Sequence, residues 1–409
     1  MDLHTGKMFW TTTLPSPPAY PSLQEDITCD VLIIGAGNSG ALFSHFLSET
    51  DLRVVVVDKR KVGHGSNLPN TGLIQYLGEK MFFELVNTFG EEHAVRHLKL
   101  CEQAIGDIEA ASQNLPISPD FIRRDSLYYA SCESDIEKLE KELHYLQKHG
   151  FKAVWLTEKQ IGQKYPFQKR AALYTYNDGE INPYKFTHSL MKQASDKGVQ
   201  IYEDTEITGQ KLEKEIATFF TKNGHSITAK KVIIAAGYEG LEFKKDKNAT
   251  LGTSYAIVTT PVPDFSSWYK RTLIWETARP YSYIRTTADN RVIIGGLDED
   301  TDIAEERDAK LIHKRDTLVN EFQKLFPNIN VKPEFYFGAF YGGTHDGLPM
   351  IGIYEEMPNC YLIYSYGDNG LVYSMVLSKI IRDVIVNGSS PNLDLYKQTR
   401  PILKTANLK

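Results

Sequence analysis

The chain has 409 residues, 42% of them hydrophobic and 24% charged, with 46 basic and 52 acidic side chains giving a formal net charge of −6. That length exceeds one simple core and predicts two domains or one large composite unit. The mild acidic excess gives no electrostatic case for nucleic acid or an anionic membrane as the main partner, and no apolar run reaches the roughly 18 residues of a membrane helix.

The start, MDLHTGKMFW, has no basic segment followed by an apolar one, so no secretory signal is expected. Residues 11–26 are rich in Pro, Ser and Thr and read as an extended arm, not a packed element. The run DVLIIGAGNSG turns from an apolar strand into a helix over 38–50, and RVVVVD at 53–58 is a second buried strand. Strand, glycine turn, helix and strand within about 30 residues make a βαβ unit. Ala94, Leu98, Cys101, Ile105 and Ile108 predict a helix over 91–114; Ile136, Leu139, Leu143 and Leu146 predict another, stopped at Gly150. A helix over 183–197 leads into VQIYE. ATFFT, Asn223-Gly224 and HSIT form a hairpin signal, and KVIIAAG at 231–237 reads as a buried strand. SYIRTTADNRVIIGG at 282–296 reads as a second hairpin. A helix over 304–325, the run FYFGAFYGG, the strand YLIYSYG and a helix over 371–386 complete the order. The βαβ pieces at both ends predict a nucleotide-binding domain interrupted by a second domain. Cys29, Cys101, Cys132 and Cys360 show neither a CxxC pair nor zinc spacing. They are expected to be small buried hydrophobes in a reducing, cytoplasmic setting, with no metal.

Gly35-Ala36-Gly37-Asn38-Ser39-Gly40 carries the sharpest chemical signal. Gly35 permits the tight turn, Gly37 lets the backbone approach a pyrophosphate, and Gly40 lets helix and strand pack closely. The phosphate charge then lies at a helix N-terminus. Asp58 ends the second strand about 20 residues on, where a carboxylate accepts ribose hydroxyls and repels the extra phosphate of NADP.

Three further segments occur in order. The first is the small-residue loop Gly63-His64-Gly65-Ser66-Asn67-Leu68-Pro69-Asn70-Thr71-Gly72-Leu73. The second is Val232-Ile233-Ile234-Ala235-Ala236-Gly237, preceded by Asp204-Thr205-Glu206-Ile207. The third is Asp346-Gly347-Leu348-Pro349-Met350-Ile351-Gly352, with Gly367-Asp368-Asn369-Gly370-Leu371 after it. With them the chain resembles, from Asp30 to about Val386, the D-amino-acid oxidase, glycine oxidase and sarcosine oxidase superfamily of FAD-dependent oxidoreductases. The resemblance implies an α/β fold, α+β overall. A Rossmann-type FAD-binding domain over 27–90, 177–245 and 336–400 is interleaved with a substrate domain over 91–176 and 246–335. The substrate domain is built on an antiparallel sheet with helices, and residues 1–26 form an arm. The resemblance further implies FAD held by Gly35, Gly37, Asn38, Ser39, Gly40, Asp58, Lys59 and Arg60 in the first unit. Gly65, Ser66, Asn67, Thr71, Gly72 and Leu73 hold it in the loop, and Ile207, Ala235, Ala236 and Gly237 at the second strand. Gly343, Gly347, Asp368, Asn369, Gly370 and Leu371 hold it in the closing segment. Relatives with covalent flavin use a cysteine just upstream of that segment. Ala339 stands in the comparable region and Cys360 falls in the following strand, so non-covalent FAD is expected.

The chain also departs from the family. Amino-acid oxidases of this type often carry an arginine before DGxP for the substrate carboxylate; Tyr341 stands there. Tyrosine cannot form the bidentate pair. Strand alternation puts Tyr281, Tyr283 and Arg285 on one face, and Arg285 is the expected replacement cation, with Arg279 its rival. Tyr255, Tyr283, Arg285 and Tyr341 are expected to meet substrate, Gln75 and Tyr76 to lie near the ring, and His64 or His345 to tune the flavin or take a proton. The resemblance implies hydride transfer to flavin N5 from the C–N carbon of an amine or amino acid, with oxygen or another acceptor reoxidising the cofactor. Two other readings stand beside it: an FAD-binding subunit or redox partner with little turnover, and an NADH-reduced flavoenzyme, although only one full dinucleotide fingerprint is present.

Overall fold

The computed structural model describes residues 1–78 and 80–403. The runs VLII and VVVV are apolar at consecutive positions, as strands buried on both faces require. Ile27–Ile34 and Val54–Val57 accordingly lie parallel, with Ser226–Ile234 on the far side of the first and Gln200–Tyr202 beyond the second. Cys360–Tyr364 extends this eight-stranded sheet in parallel, and Met350–Gly352 closes that edge antiparallel. Ala217–Thr221 folds back on Ser226–Ile234, and Ile207–Leu212 pairs with it as the eighth strand. The segments read separately as HSIT and KVIIAAG are therefore one nine-residue strand, half in a hairpin and half in the parallel core. The helices Asn38–Leu47, Pro183–Asp196 and Gly370–Asn387 bury Leu42, Phe186, Leu190, Leu377 and Ile381 in one continuous core.

A ten-stranded sheet forms the second layer system. Its order runs from His4–Lys7 through Pro333–Thr344, Ala249–Thr259, Val292–Glu299, Ser282–Thr286, Leu273–Glu276, Ile122–Tyr129 and Ala171–Glu180 to Leu73–Ile74, and Ala153–Thr157 pairs with Ala171–Glu180 as the tenth strand. Only the pairing of Leu273–Glu276 with Ile122–Tyr129 is parallel. Helix Ala304–Leu325 seals one face with Leu318 and Phe322 against Trp268 and Phe326. Helices Glu91–Gln113 and Ile136–Lys148 occupy the expected places. No helix among the described residues is long and apolar enough to cross a membrane.

Three expectations are corrected. The arm is packed: His4–Lys7 pairs with Tyr336–Ala339, Phe9 and Trp10 are buried, and the Leu23 N–H donates to Thr205 Oγ1. Two adjacent aromatics supply that burial without any periodicity to signal it. Strands Ala171–Glu180 and Pro333–Thr344 each run through an expected domain boundary and belong to the ten-stranded sheet. Cys132 is exposed, whereas Cys29, Cys101 and Cys360 are buried.

The DGLPMIG segment is pinned through Asp346. Arg400 donates to both of its oxygens at 2.6 and 2.8 Å, and also to the carbonyls of Leu348 and Pro349. Burial pushes the Asp346 carboxyl up, but Arg400 outweighs it and holds the group below the ordinary value. Arg400→Met leaves a buried carboxylate without its cation and is expected to cost about 3–5 kcal/mol, read from urea unfolding at neutral pH. A depressed carboxyl contributes stability above its unfolded pKa and loses it as pH falls through the folded one. The deficit of the variant therefore narrows on acidification.

Candidate functional site

A long groove opens at the carboxyl ends of the parallel strands, where Gly35, Asp58 and Ala235 follow Ile34, Val57 and Ile234. Gly35 turns there with φ +112°; a Cβ on it would sit 2.3 Å from the Ala235 carbonyl oxygen. A Cβ on Gly40 would lie 1.8 Å from the Gly35 carbonyl oxygen, whereas one on Gly37 would meet nothing within 4 Å. Gly37 therefore leaves an open cradle at the start of helix Asn38–Leu47, whose first N–H groups have no side-chain cap. Asn38, Ser39, Gly65, Ser66, Asn67, Ile207, Ala236 and Gly237 line the same groove. Asn67 is buried, and its Oδ1 has no hydrogen-bond partner among the described residues.

Asp58 accepts the Ala36 N–H on Oδ2 and the Arg60 N–H on Oδ1, each at 2.7 Å. Burial pushes its carboxyl up to about 6 against the pull of those two N–H groups. Lys59 and Arg60 also line the groove, but both are already paired. Arg60 forms a two-pronged bond to Glu239 at 2.7 and 2.8 Å, and Lys59 approaches the same carboxylate at 3.1 Å. Burial alone would raise Glu239; the two cations outweigh it and hold the carboxyl down at about 2.

A second cavity joins the groove through Ser66, Asn70, Tyr238 and Gly370, which border both. Its wall includes Thr71, Leu73, Gln75, Tyr255, Tyr281, Tyr283, Ala339 and Tyr341, with Asp368 and Asn369 beside the N-terminus of helix Gly370–Asn387. Asn369 donates to the Leu77 carbonyl at 2.8 Å, and the Tyr341 hydroxyl donates to Asp368 Oδ1 at 2.5 Å.

Several expected residues fall elsewhere. Arg285 is buried and turned away from the cavity: it donates to the carbonyls of Thr71 (2.6 Å), Ile181 (2.9 Å) and Thr286 (2.9 Å), and lies 3.9 Å from Glu180. Burial pulls its pKa down to about 10, so it stays charged, as a support for the loop rather than a substrate ligand. The Tyr255 ring lines the cavity, but its hydroxyl points to the Arg307 carbonyl. Tyr76 is buried against Phe151 and lies outside the lining. His345 is exposed, and His64 lies 3.3 Å from the Tyr184 hydroxyl; neither lines either cavity. Gly343, Gly347 and Arg279 border a third, adjoining pocket with Tyr341 and Asp368. Gly40, Gly72 and Leu371 shape the walls from behind, with Gly72 packed on the Ile181 carbonyl.

The residues that sequence reasoning missed are Tyr238 and Glu239, just past Ala-Ala-Gly, and Trp275, Ser254 and Asp298 in the second cavity. Burial pushes the Asp298 carboxyl up to about 6. Gly295-Gly296 ahead of it was the one available signal.

A family profile described as FAD dependent oxidoreductase matches residues 30–384. The gamma-glutamylputrescine oxidoreductase of Escherichia coli is 22% identical over 405 residues, covering 97% of this chain and 92% of its own. The crystal structure of glycine oxidase from Geobacillus kaustophilus superposes with a TM-score of 0.78 at 19% identity, over 92% of this chain and 100% of that one. L-proline dehydrogenase from P. horikoshii gives 0.75 at 18%, over 92% and 98%.

The open cradle at Gly37, the orphaned Asn67 oxygen and the uncapped helix fit a dinucleotide such as FAD. Gly37→Ala should keep the unfolding midpoint of the apoprotein yet weaken FAD by about tenfold or more, read by fluorescence titration. Gly40→Ala should instead lower the midpoint itself, because its Cβ meets backbone. Ribose hydroxyls donating to Asp58 would favour its ionised form, so FAD affinity should be flat above about pH 6 and fall below it, by up to about tenfold per unit. An affinity flat from pH 8 to 5 would remove Asp58 from the cofactor contacts.

Proposed function

The chain belongs to the FAD dependent oxidoreductase family, and from that premise we propose that it oxidises the C–N bond of an amine or amino acid. One observation carries the reading: the aromatic cavity is continuous with the dinucleotide groove, so a small molecule and the redox end of a cofactor can meet at the junction of Ser66 and Gly370. The names of the relatives agree in chemistry, since glycine, proline and gamma-glutamylputrescine are all amino compounds.

FAD, when bound, supplies the acceptor for two electrons and a proton equivalent. The remaining work falls to the chain. Gly37 and the start of helix Asn38–Leu47 would hold the pyrophosphate, Asp58 the ribose, and Ser66 and Asn67 the stretch toward the ring. The N-terminus of helix Gly370–Asn387 presents a positive dipole end at the junction, where it would stabilise the negative charge of a reduced ring. Trp275, Tyr281 and Tyr283 enclose the substrate and exclude water, which orients its C–H bond. Turnover would need oxygen or another electron acceptor.

The purified protein is expected to carry visible flavin bands, and anaerobic addition of an amine panel is expected to bleach them. Readmitted air restores the colour at once for an oxidase and slowly for a dehydrogenase. Flavin that responds to NADH alone and to no amine would overturn the reading.

A further inference from the structure

Resting on that reading, we propose that the second cavity is an alkylammonium site in which Asp298 reads the positive charge of the substrate, so that the preferred substrates are amines with no carboxylate beside the nitrogen. No Lys, Arg or His lines this cavity among the described residues, and its two ionisable acids are Asp298 and Asp368. The cation best placed by sequence to receive a carboxylate, Arg285, is committed to three carbonyls and Glu180. Asp368 accepts the Tyr341 hydroxyl. Asp298 is different: the Ser254 hydroxyl bears on its carboxylate, but Oδ1 is shut off from solvent and has no hydrogen-bond partner among the described residues. Lys314 and Arg279 act on it only through space, and Lys314 is bonded to Glu299 and the Leu297 carbonyl. An unsatisfied carboxylate oxygen in a closed site is costly unless a donor arrives.

The backbone is deformed to put it there. Gly296 has φ +122° and Leu297 φ +58°, and the pairing with the neighbouring strand slips between Thr253 and Tyr255. Two successive left-handed residues in a strand, one of them leucine, are strained and re-aim the next side chain. A Cβ on Gly296 would fall 2.0 Å from the Tyr281 carbonyl oxygen. The deformation therefore needs that glycine, and the side chain it re-aims is Asp298. The same cavity is lined by the rings of Trp275, Tyr281, Tyr283, Phe337 and Phe340. Aromatic faces with one carboxylate form the recognition chemistry of an alkylated ammonium, because the ring quadrupole attracts a cation that is only weakly hydrated. The same acids repel a carboxylate placed there.

The test uses FAD-loaded protein and two ligands that share a tert-butyl group and differ in charge. Tert-butylamine has no hydrogen on the carbon that bears nitrogen and cannot be oxidised; pivalate carries a carboxylate in place of the ammonium. Binding is read at equilibrium by calorimetry and by perturbation of the flavin spectrum. Tert-butylammonium is expected to saturate the wild-type protein, pivalate to leave it unperturbed, and Asp298→Asn to weaken the amine roughly ten- to hundredfold while retaining flavin. Asp298→Glu should recover part of the loss. Failure of the flavin-loaded wild type to bind the amine, tighter binding of pivalate, or an unchanged Asp298→Asn would each overturn the inference and leave the oxidoreductase reading standing. A protein that takes up no FAD would overturn both.

Discussion

The backbone of Gly35 runs so close beneath helix Asn38–Leu47 that its carbonyl oxygen occupies the place of a Cβ on Gly40. That contact fixes where the helix begins, and much of the site depends on it. The helix start is tied to two other helices by short side chains: Asn38 accepts the Thr187 hydroxyl at 2.5 Å, and Ser39 meets Ser374 at 2.8 Å. Ser374 belongs to the closing helix, so the glycine turn also sets the position of Gly370, where groove and cavity meet. Asp58 completes the clamp by accepting the Ala36 N–H from across the neighbouring strand. A buried carboxylate is an unfavourable thing to keep ionised. Its two backbone donors reduce that cost without removing it, which is consistent with a group placed for a ligand as well as for the turn.

Arg285 has a comparable role in the second cavity. Its guanidinium joins the Thr71 carbonyl on the small-residue loop to the Ile181 carbonyl ahead of helix Pro183–Asp196. The arginine thus holds in register the loop that contributes Thr71 and Leu73 to the cavity wall. Trp10, from the N-terminal segment, lies 5.4 Å from the same guanidinium and donates to the Asn70 carbonyl at 2.6 Å. The segment that reads as an arm is therefore part of the wall's support.

The legible parts of the fold are those that depend on neighbours in sequence. The glycine turn, the six long helices and the Asn223-Gly224 hairpin rest on local periodicity and turn chemistry, and the structure has all of them. Periodicity also says which residues share a strand face, and Tyr281 and Tyr283 do line the cavity as alternation requires. It cannot say what a long side chain does beyond its Cβ. Arg285 leaves that face to reach three carbonyls contributed by separate segments. Glu239 and Asp298 were illegible for a related reason. Glu239 matters because the chain brings Arg60, 179 positions away, to its carboxylate. Asp298 reaches the cavity because a bulge breaks the alternation that would otherwise have placed it.

The two joined cavities offer charge in different ways, and this division has a physical use. The groove offers a helix N-terminus and open N–H groups, a setting for the doubly charged pyrophosphate. Its two cations, Lys59 and Arg60, both pair with Glu239, and Asp58, Glu206 and Glu242 line the groove as well, so specificity there rests on shape and dipoles rather than on surplus positive charge. Among the described residues, the charged side chains that line the cavity beyond are acids. Asp368 lies just before the helix that begins at Gly370, where the positive dipole end lowers the cost of its charge. Asp298 lies at no helix start; the Ser254 hydroxyl and the more distant Lys314 and Arg279 offset its burial only in part, and its carboxyl stays raised at about 6. An anion drawn toward the groove thus meets repulsion if it strays into the cavity, while a cation meets a carboxylate whose desolvation has already been imposed by the fold. Discrimination between cofactor and substrate then comes from the backbone: a helix start on one side of Gly370, and a strained bulge on the other.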